Sequence, residues 1–162
     1  MTPAPVVSNA SPLIALEQIG HLQLLEHIFG TVLIPPAVAH EVAPTVTLPT
    51  WVEGQELMQP VGPRILGASL GPGESEAIAL ALETEARMVI LDERPARRLA
   101  QALHLPIIGT LGILLAAKRH QLLVSIRPYL DTLLQYDFRI APSLYKDVLS
   151  AAGEDPGPDA PH

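Results

Sequence analysis

Hydrophobic positions along the chain switch repeatedly between a strand period and a helix period, and the alternation predicts βαβ units. Val6-Val7-Ser8 is a short β-branched run that reads as a strand. Ser11-Pro12 follows as an N-cap with proline at the first helical position, so the strand hands directly to a helix with Asn9 on the junction. Leu13 to Ile19 and His21 to Phe29 read as helices broken at Gly20, and Thr31 to Ile34 is a second β-branched run. Pro35-Pro36 starts a helix over Ala37 to Val42 that carries Glu41. An irregular stretch with Pro44 and Pro49 comes next, and then a short strand is expected around Glu56 to Gln59.

Gly71 to Gly73 is a turn signal that launches a helix over Glu74 to Glu85, with Ala77, Ile78, Ala81 and Leu82 on one apolar face. Met88 to Leu91 is the next strand, Arg94 to Leu103 a helix, and Pro106 to Ile108 a short strand. Helices are expected over Thr110 to Arg119, Ser125 to Gln135 and Pro142 to Leu149. Strands alternating with helices give a parallel sheet with right-handed crossovers. One domain over 1–153 is expected, followed by a mobile Pro-rich acidic tail over 154–162.

This pattern sets carboxylates where a parallel sheet collects its chemistry. Glu74 and Glu76 fall in the first turn of a helix, and Asp92, with Glu93 beside it, leaves the carboxyl end of a strand, where open α/β sheets bind ligands. Carboxylates held together repel one another unless a cation or a shared proton compensates, and Mg²⁺ and Mn²⁺ favour such hard oxygen donors. Each acid also has a plainer reading. First-turn glutamates interact with the helix dipole, acids after a strand cap the next helix, Glu41 alone is a solvated helix residue, and Asn9 is a junction cap. Residues two apart on a helix do not share a face, so only one of Glu74 and Glu76 is expected to reach a metal.

Composition narrows the choices. With 162 residues and 48% hydrophobic content the chain can bury a real core. It has no cysteine, so thiolate metal sites and disulfides are excluded, and cytoplasm is the expected compartment. No apolar run reaches the roughly 18 residues of a membrane span, and the start lacks signal-peptide character. A net charge of −7 disfavours a broad basic surface, yet its distribution is uneven. Residues 1–63 hold no Lys or Arg, whereas Arg94, Arg97 and Arg98 cluster on one helix, either to grip phosphates or as an exposed charged face. No His-x-x-x-His, Gly-x-Ser-x-Gly or complete dinucleotide fingerprint is present.

Five segments occur in a characteristic order: Val-Ser-Asn-Ala-Ser-Pro-Leu-Ile-Ala-Leu, Ile-Pro-Pro-Ala-Val-Ala-His-Glu-Val, Gly-Glu-Ser-Glu-Ala-Ile-Ala-Leu-Ala, Ile-Leu-Asp-Glu-Arg-Pro-Ala-Arg and Ile-Gly-Thr-Leu-Gly-Ile-Leu. From about Val6 to Glu154 the chain resembles the PIN-like nucleases, and more narrowly a prokaryotic PIN-like family grouped with the toxins of type II toxin–antitoxin pairs. The resemblance implies a three-layer α/β/α domain with a central parallel sheet of about four to five strands. It also implies Mg²⁺- or Mn²⁺-dependent hydrolysis of RNA and, in a toxin role, a protein antitoxin as partner; the high apolar content, with helices such as Leu111 to Ala117, gives a homodimer as the expected assembly, as in many PIN proteins. By position, the family's acids fall on Asn9, Glu41, Glu74 or Glu76, and Asp92 with Glu93 beside it. Ser11 matches the small hydroxyl residue after the first acid, Thr110 a polar position after the last strand, and Arg97 and Arg98 are candidate contacts to RNA. Asn9 departs from the family pattern: an amide oxygen ligates a metal without bringing charge. The alternative is therefore a weakened or silent PIN-like module that binds RNA or a protein.

Overall fold

The structure, a computed structural model, describes residues 3–59 and 61–154. Five strands, β1 (Val6–Ser8), β2 (Val32–Ile34), β3 (Val52–Gly54), β4 (Met88–Ile90) and β5 (Ile107–Ile108), form one parallel sheet in the order β3-β2-β1-β4-β5. The chain builds outward from β1 in one direction through β2 and β3, then returns to the other side of β1 for β4 and β5. The order thus reverses between β1 and β4, and a crevice opens at such a point beyond the strand ends.

Helices cover both faces, as a parallel sheet requires. The strand period assigns alternate residues to the two layers. Val6, Val32, Ile34 and Ile90 pack in the larger core with α1 (Ala10–Gln18), α2 (Leu24–Phe29), α7 (Thr110–Arg119), α8 (Arg127–Gln135) and α9 (Pro142–Ala151). Val7, Val89 and Leu91 point the other way, into the core built with α5 (Pro72–Thr84) and α6 (Arg94–Ala102). Two short helices, α3 (Pro36–Val42) and α4 (Val61–Leu66), pack on α5. The architecture is the three-layer α/β/α arrangement expected, with five strands.

Several local expectations shift. Helix α1 starts at Ala10 with Asn9 as its extended N-cap, so Ser11 and Pro12 lie inside the first turn. Proline is harmless there because the first amides of a helix have no intrahelical acceptor. The strand expected at Glu56 to Gln59 lies at Val52–Gly54 instead. The Gln55 amide still reaches Ile34 O, but those of Met58 and Gln59 turn away to the Glu83 carboxylate. Helix α4 was not foreseen, since Val-Gly-Pro reads as a turn. Its Gly62 faces Ala79, where an added Cβ would sit 3.6 Å from the Ala79 Cβ.

Helix α8 begins at Arg127 rather than Ser125, because Ser125 is turned toward Glu154. The mobile tail was expected from 154, and its residues 155–162 lie outside the described residues. Glu154 itself is firmly tied. It accepts from Ser125 Oγ at 2.6 Å, Ile126 N at 2.8 Å, Lys118 Nζ at 3.1 Å and Arg127 N at 3.3 Å. Partial burial raises its pKa, but these donors outweigh it and hold the carboxyl down at about 2. Because the folded-state value is depressed, the contribution is complete above pH 4.5 and is lost as pH falls toward about 2. Glu154→Ala should lower the unfolding free energy by about 2 kcal/mol in urea melts at neutral pH. The deficit relative to wild type should shrink as pH falls through that window.

Candidate active site at the switch point

The parallel pairing sets Ser8 of β1 opposite Ile90 of β4. The next amide along, Asn9 N, donates to Ile90 O at 3.0 Å, which fixes Asn9 against the end of β4 at the point where the strand order reverses. Asn9 is 2% exposed, and its Oδ1 is buried without a hydrogen-bond partner. Such an atom carries a desolvation cost of roughly 1–3 kcal/mol unless something else binds it.

Helix α5 brings the facing groups. Gly73, in its first turn, is buried, and a Cβ there would lie 2.5 Å from Glu41 Oε1 and 3.0 Å from Asn9 Oδ1. The amide oxygen of Asn9 and the carboxylate of Glu41 therefore converge on the one residue with no side chain to separate them. Glu41, near the end of α3, is drawn in by the contact of α3 with α5. Its pKa is raised, first by partial desolvation and next by the charge of Glu74, with Glu76 adding to the rise. The Gly73 backbone N–H and His40 oppose it. Glu74 curls back over the N-cap, where a Cβ on Gly71 would lie 2.7 Å from its Oε2.

Glu76 has a local duty. Pro36 opens α3 without an N–H, and the first available amide, Ala37 N, donates to Glu76 Oε1 at 2.9 Å. Helix α5 starts at Pro72 rather than Glu74, so only Glu74 lies in its first turn; Glu76, in the next turn, caps a neighbouring helix, and Glu74 remains uncommitted among the described residues.

Asp92 forms a second group. Its Oδ1 accepts from Thr110 N at 2.8 Å and its Oδ2 from Thr110 Oγ1 at 2.6 Å, so the start of α7 grips both oxygens. Burial raises its pKa above the ordinary value, while the two Thr110 bonds and the Arg97 charge pull it down. Arg97 Nη1 donates to Leu91 O at 2.8 Å and so braces the turn that carries Asp92. Gly109 lets these groups meet, since a Cβ there would lie 2.8 Å from Arg97 Nη1 and 2.9 Å from Asp92 Oδ1.

The remaining candidates lie further out. Ser11 is half-buried in the first turn of α1, and Glu93 is exposed as the N-cap of α6 without a side-chain cap bond. Arg98 is exposed on α6. Sequence reasoning missed Gly73 and Gly109, whose signal was only the turn-like Gly-Pro-Gly and Gly-Thr. Among the described residues, no group of three His, Cys, Asp or Glu side chains is placed so as to hold a metal ion.

A family model described as a PIN domain, DUF3368, matches residues 5–154. The chain belongs to this PIN-domain family. No curated protein and no solved structure matches it. The sheet and its flanking helices are those of a PIN-like fold, and among the described residues no helix of this PIN domain is long and apolar enough to cross a membrane.

The donors fit a hard divalent cation. An orphaned amide oxygen, a carboxylate whose charge is disfavoured by desolvation and by its neighbours, and a half-buried aspartate would all gain from a cation, and all are oxygen ligands. Two predictions follow from the packing. Gly73→Ala should push Glu41 and Asn9 apart and destabilise the PIN domain by about 1–3 kcal/mol in denaturant melts. Thr110→Val removes one of the two Thr110 bonds, so the Asp92 carboxyl should titrate at higher pH than in wild type, as read by carboxyl ¹³C NMR.

Proposed function

We propose that this PIN domain is a divalent-metal-dependent ribonuclease, with its active centre at the β1/β4 switch point. The observation that carries the reading is the convergence of the unpartnered Asn9 Oδ1 with the Glu41 carboxylate over Gly73. Asn9, Glu41, Glu74 and Asp92 would hold Mg²⁺ or Mn²⁺. When bound, the ion supplies a lowered pKa for water and neutralises charge building on a phosphoryl group.

The chain's own residues supply position and proton acceptance. Thr110 and Arg97 keep Asp92 oriented, and Glu76, occupied at α3, keeps α3 and therefore Glu41 against α5. In hydrolysis, the water oxygen bonds to phosphorus as the bond from phosphorus to the leaving sugar oxygen breaks. The proton lost by water passes to a carboxylate, and the leaving oxygen takes one from solvent. A toxin role, with an antitoxin protein binding over the cleft, and a homodimer in the cytoplasm fit the same reading.

A second reading has its own observation. Asn9 brings no charge where the family carries an acid, so a weakened or silent module that binds RNA or protein is the alternative.

Incubating labelled single-stranded RNA with Mn²⁺ separates the two. Wild type should cleave, and Asp92→Ala should lose about 100-fold or more in rate while keeping its fold. Asn9→Asp should cleave faster than wild type. Equal cleavage by wild type and Asp92→Ala would remove the assignment, and cleavage seen only in Asn9→Asp would favour the silent module. Because the metal-free protein holds the pKa values of Glu41 and Asp92 above their ordinary values, protons should compete with Mn²⁺ for both carboxylates, and Mn²⁺ affinity should fall with decreasing pH from above the ordinary carboxylate range.

A further inference from the structure

We infer that Arg64, on α4, binds a backbone phosphate of single-stranded RNA next to the one held in the acidic cleft. The inference rests on the ribonuclease reading above. A polyanion entering a cleft of carboxylates is repelled, so cationic groups are needed at its rim. Residues 1–63 supply none.

Half of the ten basic residues have partners elsewhere. Arg87 donates to Ala4 O and Phe29 O, close to where β1 and β2 begin and so at the opposite end of the sheet. Arg97 braces Leu91 O, Lys118 pairs with Glu154, and Arg127 and Lys146 have partners of their own. Arg119 lies at the far end of α7 from Thr110.

Arg64 is exposed and makes no hydrogen bond or ion pair among the described residues. It lines a shallow groove of about 260 Å³ together with Gly67, Pro72, Ser75 and Glu76. Pro72, Ser75 and Glu76 belong to the first turns of α5, and Glu76 lies close enough to Glu41 to raise its pKa. The groove thus has Glu76, a neighbour of Glu41, on one side and on the other a guanidinium, a planar fork that grips phosphate through two parallel N–H bonds. Arg94 and Arg98 of α6, which also packs on α5, offer charge from a separate helix.

The test is fluorescence anisotropy of a short labelled single-stranded RNA, with Ca²⁺ replacing Mg²⁺, over a range of salt. Arg64→Ala should weaken binding by about tenfold and reduce the slope of log affinity against log salt by about 0.7, the value of one lost phosphate contact on a single strand. Arg64→Lys should restore most of the slope, and Arg119→Ala, at the far end of α7, should leave it unchanged. RNA binding by wild type with an unaltered slope in Arg64→Ala overturns the Arg64 contact and leaves the ribonuclease reading standing. No RNA binding by wild type overturns both.

Discussion

The parallel pairing of β1 with β4 is the constraint on which the site depends. Three residues of each strand are enough to set the register, and the bond from Asn9 N to Ile90 O extends it one residue past β1. Because the strand order reverses between these two strands, their connections leave in opposite directions and a crevice opens beyond their ends. Asn9 leaves one side of that gap and Asp92 the other. The same register sends Val6 and Ile90 into one core and Val7 and Val89 into the other, so the site is held between two packed layers.

Charge is the second organising element. Glu41, Glu74 and Glu76 meet around the N-terminus of α5, where the helix dipole offsets part of their repulsion. The pKa of Glu41 is nonetheless raised, first by desolvation and then by the charges of Glu74 and Glu76. Glu76 is relieved by capping α3, and Asp92 by both bonds from Thr110. Glu41 is only partly relieved, by the Gly73 N–H and His40, and Asn9 Oδ1 has no partner among the described residues. On the proposed reading, a cation would supply the compensation that the protein groups around Asn9 and Glu41 leave incomplete.

Much of this was legible in the sequence because it is written locally. The β-branched runs at Val6, Thr31 and Met88, the prolines at helix starts, and the Gly-Pro-Gly turn before Glu74 gave the sheet class and put Asp92 at a strand end. What could not be read depends on contacts distant along the chain. The Ala37 to Glu76 cap spans 39 residues, and nothing near Glu76 reveals it. Gly73 and Gly109 matter only because Glu41 and Arg97 approach them in space. β3 was misplaced because only Val52 of its three residues is buried, so its polar edge lacks the apolar run of an interior strand. α4, with glycine and proline in its first turn, forms because α5 offers it a surface rather than from helical propensity.

The central claim is that Asn9, Glu41, Glu74 and Asp92 form a divalent-cation site. Isothermal titration of Mn²⁺ into wild type and Asp92→Ala at neutral pH tests it most directly. The account predicts saturable binding in wild type that is lost in the variant, with both proteins showing the same folded circular dichroism spectrum. Absence of binding in wild type, or the same isotherm in the variant, would contradict it.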